Sequence, residues 1–99
     1  MPYRIEYSPE VEDHLRWLTA RQQRTVLDAV DTHLSYQPTV ETRNRKPMRP
    51  NPLAPWELRI GVLRVYYDVE AEPDPVVFVL AVGVKTRNRV RIGGEVIAL

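Results

Sequence analysis

Five prolines fall between Gln37 and Pro55, and this stretch constrains the fold of the chain more than any other feature: Pro38, Pro47, Pro50, Pro52 and Pro55. Proline lacks a backbone donor and fixes φ, so the stretch cannot form a regular helix or a central strand. It separates a first part with helical periodicity from a second part with strand patterning. We therefore expect an extended, exposed and cationic loop, and long loops of this kind are commonly functional.

The first part begins with a strand and a helix. Apolar residues alternate with charged ones in residues 2–7, which predicts a half-buried strand. Ser8 and Pro9 then predict a helix start, with the serine as a side-chain cap and the proline at the first helical position. An apolar stripe follows at helical spacing, at Val11, Leu15 and Leu18.

A second helix is predicted from Ala20. Thr19 and Gln22 have the spacing of a capping box. The helix continues through a set of apolar positions at helical spacing and ends before Pro38, because proline disfavours α geometry in the preceding residue. The apolar positions are Val26, Leu27, Val30 and Leu34. Together the two helices predict a helical hairpin.

Three β-rich runs follow the loop, at residues 56–60, 63–69 and 76–84, and short turns between them predict an antiparallel meander. After Gly93-Gly94 the last five residues fit either a strand or a short helix. A chain of 99 residues supports one hydrophobic core. We therefore predict one α+β domain over residues 1–99, with an N-terminal helical hairpin packed on a small antiparallel sheet of about four strands.

Several classes of protein are excluded by composition. The chain has no cysteine, and no residues have metal-ligand spacing. Its longest apolar run, residues 76–84, is far shorter than the roughly 20 residues of a membrane-spanning helix. The first residues lack the apolar core of a signal peptide. We expect a cytoplasmic protein with no metal, no small-molecule cofactor and no membrane partner, and no catalytic role for His14 or His33, which fall on helices in an acidic part of the chain.

Charge is distributed unevenly. Residues 1–42 hold four basic and seven acidic side chains, and residues 65–84 hold four acidic ones alone. Basic residues are concentrated in two blocks, 43–64 and 85–99. The first block contains Arg43, Arg45, Lys46, Arg49, Arg59 and Arg64 against Glu57, and the second contains Lys85, Arg87, Arg89 and Arg91 against Glu95.

Two arginines are expected to face each other across adjacent strands. Gly61 at the first position of a two-residue turn predicts a type II′ hairpin, whose register pairs Arg59 with Arg64. Like charges in that position repel, so the pair calls for an anion between them or for diverging side chains. A phosphate would satisfy both guanidinium groups. Pairing of either arginine with Glu57, Asp68 or another carboxylate is an equally good interpretation.

Lys85, Arg87, Arg89 and Arg91 alternate after the last apolar run. If the chain stays extended, they form one cationic stripe, which favours a polyanion as partner over a solvated edge. Among the aromatic residues, Trp56 and Tyr67 are expected to pack in the core. Tyr66 shares a face with Arg64 and is the candidate for stacking on a base.

Two stretches resemble the RelE/ParE family of toxins from type II toxin–antitoxin systems. Residues 56–69 (WELRIGVLRVYYDV) are similar to the family's strand pair, with an arginine before a hydrophobic-tyrosine run. Residues 79–85 (VLAVGVK) are similar to its last core strand, which ends in Gly-x-Lys/Arg. The Tyr-x-Ile…Ser-Pro opening and residues 44–47 also fit. The resemblance spans almost the whole chain and implies a RelE-like fold.

RelE-type members are ribosome-dependent mRNA endoribonucleases (mRNA interferases) that inhibit translation without a metal and are held inactive by a cognate antitoxin. The resemblance therefore implies mRNA on the ribosome and an antitoxin as partners. It assigns catalysis to Arg64, which would stabilise the phosphate, to Lys85 and to Arg59. Glu57 stands where such toxins can carry a second lysine and is either a proton acceptor or a salt-bridge partner.

Residues 87–91 occupy the region where many active members place a tyrosine or histidine, so the general base or acid has no obvious candidate there. The expected RNA-binding residues are Arg43, Arg45, Lys46, Arg49, Tyr66, Arg87, Arg89 and Arg91. Two alternatives stay open: inhibition of DNA gyrase, as in ParE members, and a non-catalytic module that binds nucleic acid or an antitoxin.

Overall fold

A seven-stranded sheet carries two helices, and the computed structural model describes residues 2–98. The elements in chain order are β1 (Arg4–Tyr7), α1 (Pro9–Arg16), α2 (Ala20–Leu34), β2 (Arg45–Pro47), β3 (Trp56–Ile60), β4 (Leu63–Glu70), β5 (Val76–Thr86), β6 (Arg89–Ile92) and β7 (Glu95–Ala98). The α+β fold class is confirmed. The sheet is larger than the expected four strands, because β2 forms inside the proline-rich loop and residues 89–98 add a hairpin.

Neighbouring strands in the order β2-β3-β4-β5-β6-β7 are antiparallel. β1 is parallel to β5 and pairs with residues 76–79, on the edge where β6 pairs with residues 83–86. The central meander β3-β4-β5 matches the sequence prediction. β2 lies at the sheet edge, where Pro47 is tolerated because the edge needs no donor there.

The two helices begin where the sequence predicts, although only one start is capped as expected. Thr19 Oγ1 accepts from Gln22 N at 3.1 Å and Gln22 Oε1 accepts from Thr19 N at 3.0 Å, so the capping box is confirmed. Pro9 is the first residue of α1. The side-chain cap predicted for Ser8 is wrong, because its hydroxyl donates instead to Leu80 O on β5, at 3.3 Å.

The main core lies between the helices and one face of the sheet. The α2 stripe buries Val26, Val30 and Leu34 completely, and Ala29 joins them. Leu27, expected in the same stripe, is 39% exposed, so that part of the prediction is wrong. Facing strands contribute Leu58, Val65, Tyr67, Val77, Val79 and Val82.

A second, smaller core covers the opposite face of the sheet and contains no helix residue. Its buried members are Ala54, Tyr66, Ala81, Val90 and Ile92. Met48 and Leu53, from the loop between β2 and β3, pack against it. This loop is therefore folded back over the sheet, whereas the sequence predicts an extended one.

Asn51 stabilises the fold of that loop. Its Oδ1 accepts from the backbone N–H groups of Leu53 and Ala54, at 2.8 and 3.1 Å. Its Nδ2 donates to the carbonyls of Arg49 and Ala54, at 2.6 and 3.0 Å. One amide side chain thus satisfies four backbone groups that have no strand partner.

α1 runs along the edge of β5, in the gap between β1 and β6. His14 Nδ1 accepts from the backbone N–H of Val82 at 3.3 Å, which satisfies a donor that no strand reaches. Burial lowers the pKa of His14, although the nearby Glu10 and Asp13 carboxylates oppose this shift. His14 accepts this bond through an unprotonated ring nitrogen, and its ring packs α1 against β5 and beside Gly93 in the β6–β7 turn.

Candidate nucleic-acid interface

The register of the sheet brings four predicted site residues to one face. Leu58 pairs with Val65, and both point into the helix-side core. Side chains alternate along a strand, so the residues beside them point to the opposite face. This face carries Glu57, Arg59, Arg64 and, from β5, Lys85.

The β3–β4 turn has the predicted form. Gly61 and Val62 are its two central residues, and Gly61 has a φ of +57°. Ile60 pairs with Leu63, and Arg59 pairs with Arg64. The predicted juxtaposition of the two arginines in the register is confirmed.

The two guanidinium groups diverge. Arg59 Nε donates to Glu57 Oε1 at 2.6 Å, in an ion pair whose carboxylate side chain is only 9% exposed. Arg64 Nη1 turns back to the hairpin and donates to the carbonyls of Gly61 and Leu63, at 2.7 and 2.9 Å. Repulsion between like charges is thereby avoided without an anion.

Glu57, Arg59 and Lys85 line one groove of about 460 Å³, whose other wall is formed by residues 47–51. Lys85 and Glu57 also line a smaller adjoining cavity with Asn88 and Val90. Arg64 does not line either cavity, because its guanidinium points to the turn. The structure thus joins three of the four predicted catalytic residues in one groove.

Asn44 positions the backbone of Arg59 and was missed in the sequence. Its carbonyl accepts from Arg59 N at 2.8 Å, and its Nδ2 donates to Arg59 O at 2.8 Å. These bonds extend the pairing of β2 with β3 by one residue pair, Asn44 with Arg59. The tendency of asparagine side chains to bond to backbone groups was the only signal, because the following residues Arg45–Pro47 do not have strand-forming composition.

Tyr66 does not offer a stacking surface. It is 0% exposed, whereas stacking on a base requires an open ring face, so the expected role is contradicted. Side-chain alternation along β4 places the Tyr66 and Tyr67 rings in cores on opposite faces of the sheet. The Tyr66 hydroxyl has no hydrogen-bond partner, and burial, together with the nearby Glu57 carboxylate, raises its pKa. Tyr67 and Trp56 pack as expected, with ring centroids 6.1 Å apart.

The loop cations differ in what they contact. Arg45 pairs with Leu58, on the helix side, and its guanidinium donates to Val40 O at 2.8 Å and His33 O at 2.6 Å. It therefore ties the loop to the end of α2 and lies away from the groove. Lys46 Nζ is 3.4 Å from Glu41 Oε2, while the side chains of Arg43 and Arg49 are exposed.

The predicted stripe of four cations is wrong. The chain reverses at Arg87-Asn88, so Lys85 pairs with Val90, Thr86 with Arg89 and Val84 with Arg91. Lys85 lies on the groove face, whereas Arg89 and Arg91 lie on the other face of the sheet. The same alternation occurs in a continuous strand and within each strand of a two-residue hairpin, but the turn pairs odd-numbered with even-numbered residues, so cations of the same parity fall on opposite faces.

The groove can bind an anion and stabilise negative charge. Its lining offers a guanidinium, an ammonium and one carboxylate, a set suited to a phosphate group. Within residues 2–98 no cluster of three or more His, Cys, Asp or Glu side chains is arranged to hold a metal ion. None of the helices described is long and apolar enough to cross a membrane.

Together, two helices on a mainly antiparallel sheet, with a cationic groove on the face that no helix covers, define a small α+β protein. No family model matches the chain, and the search of curated proteins found no match. A chain of the RelBE2 toxin–antitoxin complex from Mycobacterium tuberculosis has a similar structure, with a TM-score of 0.70 and 23% sequence identity. The match covers 86% of this chain and all of that chain. This likeness confirms the RelE-like fold expected from the sequence.

Proposed function

We propose that this chain is the toxin of a toxin–antitoxin pair and that it cleaves mRNA on the ribosome. The fold shared with a chain of a toxin–antitoxin complex supports the first part. One observation carries the second part: a buried carboxylate, Glu57, lies in a cationic groove with Arg59 and Lys85. A carboxylate among cations on one sheet face provides both a proton acceptor and phosphate ligands.

In the proposed reaction, the ribose 2′-OH attacks the neighbouring phosphate. The O2′–P bond forms, the P–O5′ bond breaks, and Glu57 accepts the 2′-OH proton. Arg59 and Lys85 bind the phosphate oxygens and stabilise the charge that develops on them. Lys85 also supplies the proton to the leaving 5′ oxygen. Because Arg59 bonds to Glu57 without substrate, a bound phosphate competes for the guanidinium and releases the carboxylate to act as base.

Arg64 enters the reaction only after a side-chain movement. Its guanidinium donates to two turn carbonyls, and its Nε is buried without a partner. A phosphate in the groove would offer stronger, charge-assisted bonds than those neutral carbonyls. We therefore propose that Arg64 binds the phosphate in the transition state and that it does not line the groove before substrate binds. Arg43, Lys46 and Arg49 would bind flanking RNA.

The cognate antitoxin is proposed to cover the groove with a segment that carries carboxylates. Such a segment would pair with Arg59 and Lys85 and exclude mRNA from Glu57. The complex of the structural relative is the precedent for a protein partner of this kind. Co-expression with the products of the reading frames adjacent to its gene, and purification of a stable complex, would test this partnership.

The test of cleavage uses the purified chain in a translation reaction, with mRNA ends mapped by primer extension. Glu57→Gln keeps the shape of the side chain and removes the base, so cleavage should fall by about 100-fold or more. Asp28→Asn, which also removes one negative charge, at an exposed position of α2, should leave cleavage unchanged. Intact mRNA with the wild-type chain would refute the nuclease, and inhibition of gyrase supercoiling instead would assign the ParE-like activity.

A further inference from the structure

A second cationic groove lies on the other face of the sheet, at the end formed by β5, β6 and β7. Its volume is about 730 Å³, and no helix residue lines it. Arg91 pairs with Val84 on one side and Val96 on the other, and Arg89 pairs with Thr86. We call this surface the arginine groove, and it is lined by Val84, Thr86, Arg87, Asn88, Arg89, Arg91 and Val96.

The charges of the arginine groove are unbalanced. It contains three arginines and no acidic residue. Within residues 2–98, none of these three guanidinium groups forms an ion pair or a side-chain hydrogen bond. Among the described residues, Arg45 and Arg59 have partners and the exposed Arg21, Arg24, Arg43 and Arg49 have none, so what distinguishes the arginine groove is that it brings three unpaired guanidinium groups together. Three free guanidinium groups beside one another repel each other unless an external anion binds.

Backbone strain at Arg87 is a second, independent observation. Arg87 and Gly61 occupy the same position, the first residue of a two-residue turn, and both have a φ of +57°. Glycine adopts this conformation freely, whereas a residue with a Cβ does so at a cost. An arginine here therefore costs stability and places a guanidinium at the tip of the β5–β6 hairpin. Strain of this kind is commonly found at functional positions.

We propose that the arginine groove binds the phosphate backbone of RNA, as a contact separate from the groove that contains Glu57 and Lys85. Guanidinium groups bind phosphate oxygens in a bidentate manner. Arg89 and Arg91 are two residues apart on one strand, which separates them by about 7 Å along the strand. The exposed apolar surface of Val96 provides a floor for the sugars between two phosphates.

The β5–β6 hairpin consequently presents cations on both faces, with Lys85 on one and Arg89 and Arg91 on the other. The hairpin can enter between two segments of backbone and bind each with a different face. The identity of the two segments rests on the proposed function: one segment is the mRNA to be cut, and the second is RNA that does not react. Backbone contacts of this kind fix position without reading sequence.

The experiment measures binding of a short fluorescein-labelled single-stranded oligoribonucleotide by fluorescence anisotropy, over a range of salt concentrations. All variants carry Glu57→Gln, so that the RNA stays intact. Arg89→Gln/Arg91→Gln should lower the slope of log K against log salt by about 1.4 and the affinity by about 25-fold at 0.1 M salt. Arg21→Gln/Arg24→Gln removes the same charge from the exposed face of α2 and should change the affinity by less than about threefold.

Arg87→Gly is a control variant whose expected result, higher stability with weaker RNA binding, could not arise from misfolding. The substitution relieves the strained φ, so the melting temperature should rise, while the loss of one phosphate contact should weaken RNA binding by about fivefold at 0.1 M salt. A variant that is more stable and binds less tightly separates function from folding. A fall in melting temperature would show that the turn is not strained.

Several results would overturn the proposal. Equal losses in the two double variants would mean that binding follows net charge alone. Unchanged RNA binding in Arg89→Gln/Arg91→Gln, with lost binding of a labelled poly-glutamate peptide, would assign the groove to an acidic protein segment. Failure of the proposed nuclease gives a different result, because mRNA then stays intact in translation while the RNA affinity still depends on the arginine groove.

Discussion

Two adjacent tyrosines allow a matched test of how the buried polar groups are satisfied. Tyr66 and Tyr67 are both 0% exposed. The Tyr67 hydroxyl donates to Pro38 O at 2.6 Å, whereas the Tyr66 hydroxyl has no partner. Removing a partnered buried hydroxyl leaves a carbonyl unsatisfied, while removing an unpartnered one abolishes a desolvation cost.

We therefore expect the two Tyr→Phe variants to change stability in opposite directions. Tyr67→Phe should lower the free energy of unfolding by about 1–2 kcal/mol, because Pro38 O loses its donor. Tyr66→Phe should raise it by about 1 kcal/mol, which corresponds to about 4–8 °C in melting temperature for a domain of this size. The assay is urea unfolding followed by circular dichroism, with thermal melts as a second readout.

Equal destabilisation by the two variants would refute the reasoning, since it would mean that the Tyr66 hydroxyl has a partner of its own. The candidate is Glu57, because burial and, after it, the charge and hydrogen-bonding capacity of this carboxylate raise the pKa of Tyr66, although no bond between the two groups meets hydrogen-bond geometry. A double variant, Tyr66→Phe/Glu57→Gln, then measures the coupling between the two groups. Additive effects of the single changes would show that they do not bond to each other.

Three further predictions concern the stability of the fold. The pKa of His14 lies below its ordinary 6.5, so the unfolded chain binds the proton more tightly than the folded chain. Stability should therefore fall as the pH drops below 6.5, which thermal melts from pH 8 to 5 would measure. His14→Gln should flatten this pH profile. In Gly83→Ala the new Cβ would lie 2.6 Å from Arg91 O, so β5 and β6 must separate, at a cost of about 1–3 kcal/mol; unchanged urea unfolding would contradict this. Arg45→Gln loses two bonds to carbonyls and should cost about 2 kcal/mol in the same assay, whereas Arg43→Gln, at an exposed position, should stay within about 0.5 kcal/mol.

The elements predicted best were those defined by neighbours in sequence. The Thr19 capping box and the Gly61 turn depend on residues no more than three positions apart, and both are as predicted. The register then followed from the turn, which placed Arg59 opposite Arg64. Residues 85–91 were misinterpreted because no glycine or proline marks their turn, which occurs at an arginine with positive φ.

Less of the candidate site could be predicted, because it depends on contacts across the sheet. The prediction that Arg59 or Arg64 pairs with a carboxylate could be made from sequence, but the choice of Glu57 needed coordinates. The face on which Tyr66 lies follows from strand alternation, but its burial depends on loop residues 48–54, which fold back over that face and have no sequence signature. Arg45 was predicted to contact RNA because it is a cation in a basic loop, but its guanidinium donates hydrogen bonds to two backbone carbonyls instead.

The loop between β2 and β3 has a consequence for ligand recognition. Met48 and Leu53 anchor it to the second core, and Asn51 holds its backbone. One wall of the groove is therefore rigid before any ligand arrives. Binding then avoids the entropic cost of ordering a loop, so the affinity for a phosphate can be obtained from few contacts. In the proposed function, a preorganised wall would also restrict the width of the ligand that the groove admits.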